Sequence, residues 1–195
     1  RLCRKLLLYI NYKKFFQAMK EVKRKIIAII GLMGVGKTTV GLNLAKALQY
    51  YFIDCDSEIE DRMHKSINEI FAQNGEKHFR EMEEKIIAEI VNRDENVVLS
   101  LGGGAFMNEN TRKILQEKAI IIWLEAPIDE ILKRIGKKNN RPLLNTNDKR
   151  KILEDLVAKR YPFYELAHLK FNTANITGEV LIKEIITKIN QLKNA

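Results

Sequence analysis

Residues 31–38 read Gly31-Leu32-Met33-Gly34-Val35-Gly36-Lys37-Thr38, which fits GxxxxGK[ST]. The chemistry this spacing serves is the binding of a nucleoside triphosphate. Successive backbone N–H groups must turn inward around phosphate oxygens, and glycine permits both the dihedrals and the close approach. A helix starting near Lys37 adds the positive end of its dipole. Lys37 is placed to reach the β- and γ-phosphates, and the Thr38 hydroxyl to ligate Mg²⁺. Gly34, Val35, Gly36, Lys37, Thr38 and Thr39 form the expected nucleotide-binding set, with Thr39 also readable as a plain helix residue.

Further along, "FIDCD" carries Asp54 and Asp56 two residues apart. In an extended segment both carboxylates face one side. There they can hold hydrated Mg²⁺ and accept a proton from an attacking hydroxyl. Aspartates in such places also form turns and cap helices, and Asp56-Ser57-Glu58 opens a helix. "HFREMEE" sets Arg80 behind Phe79, and "AKRYPFYE" sets Arg160 before Tyr161 and Pro162. A planar guanidinium matches a carboxylate through two parallel hydrogen bonds, although a single arginine on a charged helix is usually solvated. Gly102, Gly103 and Gly104 stand in a row in "SLGGGAF". Three glycines cost backbone entropy, which points to a ligand close to the backbone; a tight turn alone would explain one or two.

These residues fall between apolar runs that alternate with helical patterns. Residues 25–30, 50–54, 96–101, 119–126 and 169–172 read as strands. Residues 37–49 show the helical period at Val40, Leu44, Ala47 and Leu48. Residues 57–63 and 67–75 read as short helices and 76–93 as a long one, with the break at Gly75. Pro127 opens a helix that runs to Ile135, a position proline favours. Residues 110–117, 149–168 and 178–192 are also helical, with Pro162 a kink or break. Residues 136–148 form a polar loop that carries Arg141. Strands spaced by helices in this rhythm make βαβ units. The expected fold is α/β of the P-loop NTPase kind: a five-stranded parallel sheet with helices on both faces, a helical substrate region and a lid. Ligands of such folds bind outside the carboxyl ends of the strands.

The chain of 195 residues suits one domain. Its two cysteines, Cys3 and Cys55, make neither a CxxC pair nor a metal-ligand spacing. That argues against a disulfide framework and for a reducing compartment. No apolar run approaches the roughly 20 residues of a membrane span. The net charge of +9 is unevenly spread: residues 1–25 hold nine Lys/Arg against Glu21, and the rest holds 25 bases against 24 acids. The body is nearly neutral, so overall charge makes no case for nucleic-acid binding. Residues 1–24 are basic and partly amphipathic. A membrane-surface or targeting element is one reading. The other is a dispensable extension, with Met19 a candidate start and 25–195 the catalytic domain.

In order and spacing these stretches resemble shikimate kinase. The pattern is the P-loop, D-x-D after the second strand, F-R-x-x-E, G-G-G after the third strand, R-P-L-L and A-K-R, across residues 26–178. The resemblance implies a cytoplasmic, monomeric kinase using ATP and Mg²⁺. It would move the γ-phosphate of ATP to the 3-hydroxyl of shikimate, on the route through chorismate to the aromatic amino acids, with no nucleic-acid partner. Asp56 would hold that hydroxyl and take its proton, and Asp54 would hold Mg²⁺ through water. Arg80 and Arg160 would clamp the shikimate carboxylate, with Glu83 orienting Arg80. Gly102, Gly103 and Gly104 would line the substrate, Phe71 and Phe79 would wall the ring, and Ser100 would sit beside metal-bound water. Arg141 would be the lid arginine, contacting ATP and acting in catalysis with Lys37 and Asp56. Arg134 would lie against the adenine, near a loop at 172–177 whose "NTANITG" lacks the proline often seen there. Cys55 stands where the family often has serine. Two other readings share parts of the pattern: a gluconate-type sugar-acid kinase, and a regulatory P-loop module that binds nucleotide without turnover. The lid arginine and the Asp56, Arg80 and Arg160 set speak against the second.

Overall fold

The computed structural model describes residues 25–136 and 148–193. Strands β1 (Ile26–Ile30), β2 (Tyr51–Asp54), β3 (Val97–Ser100), β4 (Ala119–Glu125) and β5 (Leu169–Asn172) pair in parallel in the order β2-β3-β1-β4-β5. Every residue of β1 and β3 is buried, as are all but the last of β4. Successive side chains point to opposite faces, so both faces of the sheet are covered. This is why the central strands read as unbroken apolar runs. Fully burying one such isoleucine is worth about 1.5–3 kcal/mol, so the middle of the sheet is the rigid base of the molecule.

The helices are α1 (Lys37–Leu48), α2 (Cys55–Met63), α3 (Ile67–Val91), α4 (Glu109–Lys118), α5 (Ile128–Ile135), α6 (Lys149–Tyr164) and α7 (Gly178–Lys193). Several starts are fixed by side-chain caps. Ser66 and Glu69 form a reciprocal capping box at α3, and Asn108 and Asp148 cap α4 and α6. Gly75 takes the non-helical φ 79°, ψ 168° and divides α3 into two helical segments, where the sequence places the break.

Three local expectations change. Helix α2 begins at Cys55, so Asp54 ends a strand while Asp56 already lies in a helix's first turn. Pro127 precedes α5 as its cap rather than its first residue. Pro162 does not end α6, because Glu165 N–H still closes on the Tyr161 carbonyl at 3.0 Å and the helical course continues past the ring.

Strand β1 lies between β3 and β4, and the chain passes from one side of it to the other between these two strands. The loops leaving β1 and β3 therefore open side by side at the carboxyl edge of the sheet. Leu101 N–H donates to the Ile29 carbonyl at 3.0 Å, which keeps the two strands in register to their ends. A crevice at such a switch point is where an open α/β sheet binds its ligands. No helix among the described residues is long and apolar enough to cross a membrane.

Candidate active site

The phosphate loop leaves β1 at Gly31 and becomes α1 at Lys37. Gly36 takes φ 99°, ψ 20°, a left-handed conformation that costs a side-chain-bearing residue energy. Lys37 Nζ donates to the Gly31 and Leu32 carbonyls at 3.0 and 3.1 Å, folding the ammonium over the loop. Val35 is buried and Thr39 is exposed on α1. The Thr38 hydroxyl donates to Asp54 Oδ2 at 2.9 Å, while Asp54 Oδ1 accepts from Asp56 N–H at 3.2 Å. Asp54 is thus a helix cap whose other oxygen faces the phosphate loop.

Arg134 on α5 braces the other side of the loop. Its Nη1 donates to the Val35 carbonyl at 3.3 Å and to Thr173 Oγ1 at 2.9 Å, and Nη2 to the Thr173 carbonyl at 2.8 Å. Thr173 is buried and its hydroxyl lies 3.0 Å from the Val35 carbonyl. This ties residues just after β5 to the phosphate loop. Ser100 is buried at the end of β3, in register with Asp54 on β2.

Beside the loop lies a cavity of about 470 Å³. Asp56, Arg80, Arg160 and the three glycines all line it. Phe71 and Phe79 also line it, their rings 4.7 Å apart at the centroids. Glu83 lines it too, and Met33, Glu60, Ser66, Ile67 and Asn68 complete the lining and were not anticipated. Glu60 had a signal, standing one helical turn after Asp56. Its Oε1 accepts from Ile67 N–H at 2.9 Å and so closes the α2–α3 turn over the cavity.

The three glycines have a more specific reason than a nearby ligand. A methyl group on Gly102 would stand 2.7 Å from both Asp56 Oδ1 and Glu83 Oε1. One on Gly103 would stand 2.7 Å from Arg160 Nη1, and one on Gly104 2.6 Å from Arg80 Nη2. Each glycine gives up its side chain to a different ionisable group of the protein itself. The turn after β3 is the surface against which the four charged side chains are arrayed.

Those charges are held unequally. Arg80 donates to Glu83 Oε2 at 2.6 Å and also pairs with Glu76, one turn earlier, at 3.3 Å. Burial opposes the Arg80 charge, but Glu83 and Glu76 outweigh it and hold the guanidinium firmly protonated. Burial pushes the Glu83 carboxyl above its ordinary value, and the charge of Arg80 offsets this only in part. Glu83 Oε1 is buried with no hydrogen-bond partner among the described residues. Cys55 is buried too, and burial together with the surrounding carboxylates raises its thiol far above the usual range, so it is an unreactive packing residue. Arg160 is 8% exposed, and Tyr164, four residues on, donates its hydroxyl to the Gly103 carbonyl at 2.5 Å. Tyr164 was missed from sequence, where its only signal is the helical spacing from Arg160. Arg141, with the loop 137–147, and the extension 1–24 lie outside the described residues.

The arrangement offers a phosphate-binding loop, a carboxylate within reach of a hydroxyl, and two arginines for an anion, all at one crevice. The oxygen pair of Thr38 and Asp54 suits a hard cation. Among the described residues no three His, Cys, Asp or Glu gather into a metal cage. Mg²⁺ commonly takes one or two protein oxygens and completes its shell with phosphate and water, so these residues fit it.

A family model described as shikimate kinase matches residues 33–190. A shikimate kinase of Novosphingobium aromaticivorans is 42% identical over 85% of this chain and 87% of its own length. One from Caulobacter vibrioides is 40% identical over 89% and 86%. Among solved structures, shikimate kinase from Acinetobacter baumannii in complex with shikimate superposes with a TM-score of 0.83 at 35% identity, covering 92% of this chain and 98% of that one. A gluconokinase from Sinorhizobium meliloti superposes with a TM-score of 0.60 at 16% identity, a likeness of fold alone. The chain belongs to the shikimate kinase family and is an ATP-dependent kinase.

Proposed function

We propose that this site transfers the γ-phosphoryl group of ATP to the 3-hydroxyl of shikimate. The observation that carries the reading is the glycine turn. It packs Asp56, Glu83, Arg160 and Arg80 against one backbone segment beside the phosphate loop. A small polyhydroxylated carboxylate needs this combination and little apolar surface.

In this reading the phosphates of ATP lie along Gly34, Val35, Gly36 and the start of α1, with Lys37 turned from the loop carbonyls toward the β- and γ-phosphates. Thr39 and Arg134 lie on the nucleotide side, Arg134 by fixing the loop to Thr173. Arg80 and Arg160 hold the acceptor carboxylate, and the turn at 102–104 forms the floor. Asp56 orients the acceptor hydroxyl and takes its proton as the oxygen bonds to the γ-phosphorus. The bond from that phosphorus to the bridging oxygen breaks, and ADP leaves. Thr38 directly, and Asp54 through water, would hold Mg²⁺, which supplies charge neutralisation for the phosphates. Residues 25–195 form the working unit, acting as a monomer in the cytoplasm.

An assay of ADP release with shikimate, with gluconate and without acceptor tests the assignment. Release that depends on shikimate is expected. Release that depends on gluconate, or equal release with no acceptor, would overturn it. Light scattering on the active sample checks the monomer.

A further inference from the structure

We propose that Tyr164 is a positioning residue of the acceptor site: its hydroxyl fixes the Gly103 backbone against which the Arg160 guanidinium packs, and so keeps that guanidinium placed for the acceptor's carboxylate. The inference rests on the reading of Arg160 as part of the carboxylate clamp.

Tyr164 is fully buried at the end of α6. Its ring is fixed by aromatic neighbours, with Phe106 at 6.4 Å and Trp123 at 5.9 Å between centroids. What remains for function is the hydroxyl. It donates to the Gly103 carbonyl at 2.5 Å, and the charge of the Arg160 guanidinium acts on the same group. Arg160 and Tyr164 are one helical turn apart, so they share a face of α6. The absent side chain of Gly103 leaves the space that Arg160 Nη1 fills. Helix and glycine turn are thereby stitched together at two points, one ionic group and one neutral.

Arg160 needs such a tether because a competitor is close. Glu83 feels the charge of Arg160, and its Oε1 is buried with no hydrogen-bond partner among the described residues. An unpaired buried carboxylate oxygen draws any donor within reach. An arginine that swung onto Glu83 would no longer meet an incoming anion. The phenol resists this by donating to Gly103 and holding the turn on which the guanidinium rests, a bond that only the neutral hydroxyl can donate. Burial keeps it neutral by pushing its pKa up to about 12, with Arg160 a partial offset.

Tyr164→Phe keeps the ring and deletes the hydroxyl. Shikimate binding is read by calorimetry, and Trp123, the one tryptophan of the sequence, lies beside the site of change and reports the fold by its fluorescence. The shikimate Kd and KM are expected to rise by up to about tenfold, the upper scale of a lost neutral hydrogen bond. The kcat and the KM for ATP should stay within about twofold. In an Arg160→Lys background the same change should add less than about twofold, because the tether then has little left to hold. Unchanged shikimate affinity, an equal loss for shikimate and ATP, or full additivity with Arg160→Lys would each overturn the proposal. If Tyr164→Phe does not fold, Tyr164→4-aminophenylalanine keeps the ring and donates a weaker hydrogen bond to Gly103. A raised shikimate Kd there supports the tether, and an unchanged one overturns it. Failure of the parent chain to phosphorylate shikimate would instead sink the functional reading on which this rests.

Discussion

The Thr38 hydroxyl meets Asp54 Oδ2 at 2.9 Å, joining the first turn of α1 to the last residue of β2. Strand β3 lies between β1 and β2, so this bond spans the width of a strand at the carboxyl edge of the sheet. It brings an oxygen of the phosphate loop's helix to the carboxylate that also caps α2. Loop and acceptor side are therefore mechanically one unit.

Asp54→Asn keeps an oxygen for the Asp56 cap but removes the charge facing the loop. The Mg²⁺ concentration for half-maximal activity should rise and kcat should fall, with the melting temperature close to the parent's. Asp54→Ala also loses the cap and should cost a further 0.5–2 kcal/mol or so of stability. Activity titrated against Mg²⁺ checks this. An unaltered Mg²⁺ requirement with parental turnover would remove Asp54 from the metal side.

Gly102→Ala tests the placement of Asp56, and of Glu83 with it, without removing either carboxylate. The added methyl would stand 2.7 Å from both Asp56 Oδ1 and Glu83 Oε1, a distance that forces the carboxylates to move. The backbone at Gly102 does not need a positive φ, so the fold has no conformational reason to fail. The expected result is a folded protein whose kcat has dropped by roughly 10²-fold, comparable to Asp56→Asn and within the range for a lost general base. Circular dichroism and steady-state kinetics decide it. Parental turnover in either variant would release Asp56 from the role of proton acceptor.

The two arginines should separate by stability. Arg80→Ala and Arg160→Ala should each raise the shikimate Kd by about tenfold or more, since a hydrogen bond to a charged group is worth about 1.5–3 kcal/mol, and leave ATP binding nearly alone. Arg80 also satisfies the buried Glu83, whereas Arg160 does not form an ion pair with it. Arg80→Ala should therefore lower the melting temperature more, and Glu83→Gln in the same chain should restore part of it by removing the stranded charge. Calorimetry and thermal melts test the pair. Equal melting temperatures in the two arginine variants would contradict this.

The parts legible in the sequence were those with a fixed local grammar. The phosphate loop has its spacing, the five strands their apolar runs, and Gly75 its break. Asp56, Arg80 and Arg160 were legible only as members of an ordered pattern, because each alone looks like an ordinary polar residue. What the sequence could not show is what presses on what. The run 102–104 read as room for a ligand; it lines the cavity, and it is also room for Asp56, Glu83, Arg160 and Arg80. Asp54 and Asp56 read as one extended pair, yet the helix starts between them because Asp54 caps it. Tyr164 and Glu76 escaped notice since their only mark is a spacing of four residues from an arginine. Such contacts arise when distant elements dock, here α3 and α6 against the turn after β3, and no local pattern records them.

The phenol of Tyr164 gives the stability of the protein a signature in alkali. Burial raises its pKa from 10.0 to about 12 in the folded state. Below pH 10 the group is neutral in both folded and unfolded chains and has no effect on the slope. Between pH 10 and 12 the unfolded chain loses the proton first, so it binds fewer protons than the native state and stability falls as pH rises. A shift of two units amounts to about 2–3 kcal/mol across that window. Tyr50 and Tyr161, also raised by burial, leave a residual slope in any variant. Urea unfolding of the parent and of Tyr164→Phe at pH 9 and pH 11 isolates the difference. The parent should lose clearly more stability between the two pH values than the variant does, because only the parent must deprotonate a phenol whose proton is bonded to the Gly103 carbonyl. Equal losses in the two proteins would mean that the Tyr164 hydroxyl is open to water in the folded state.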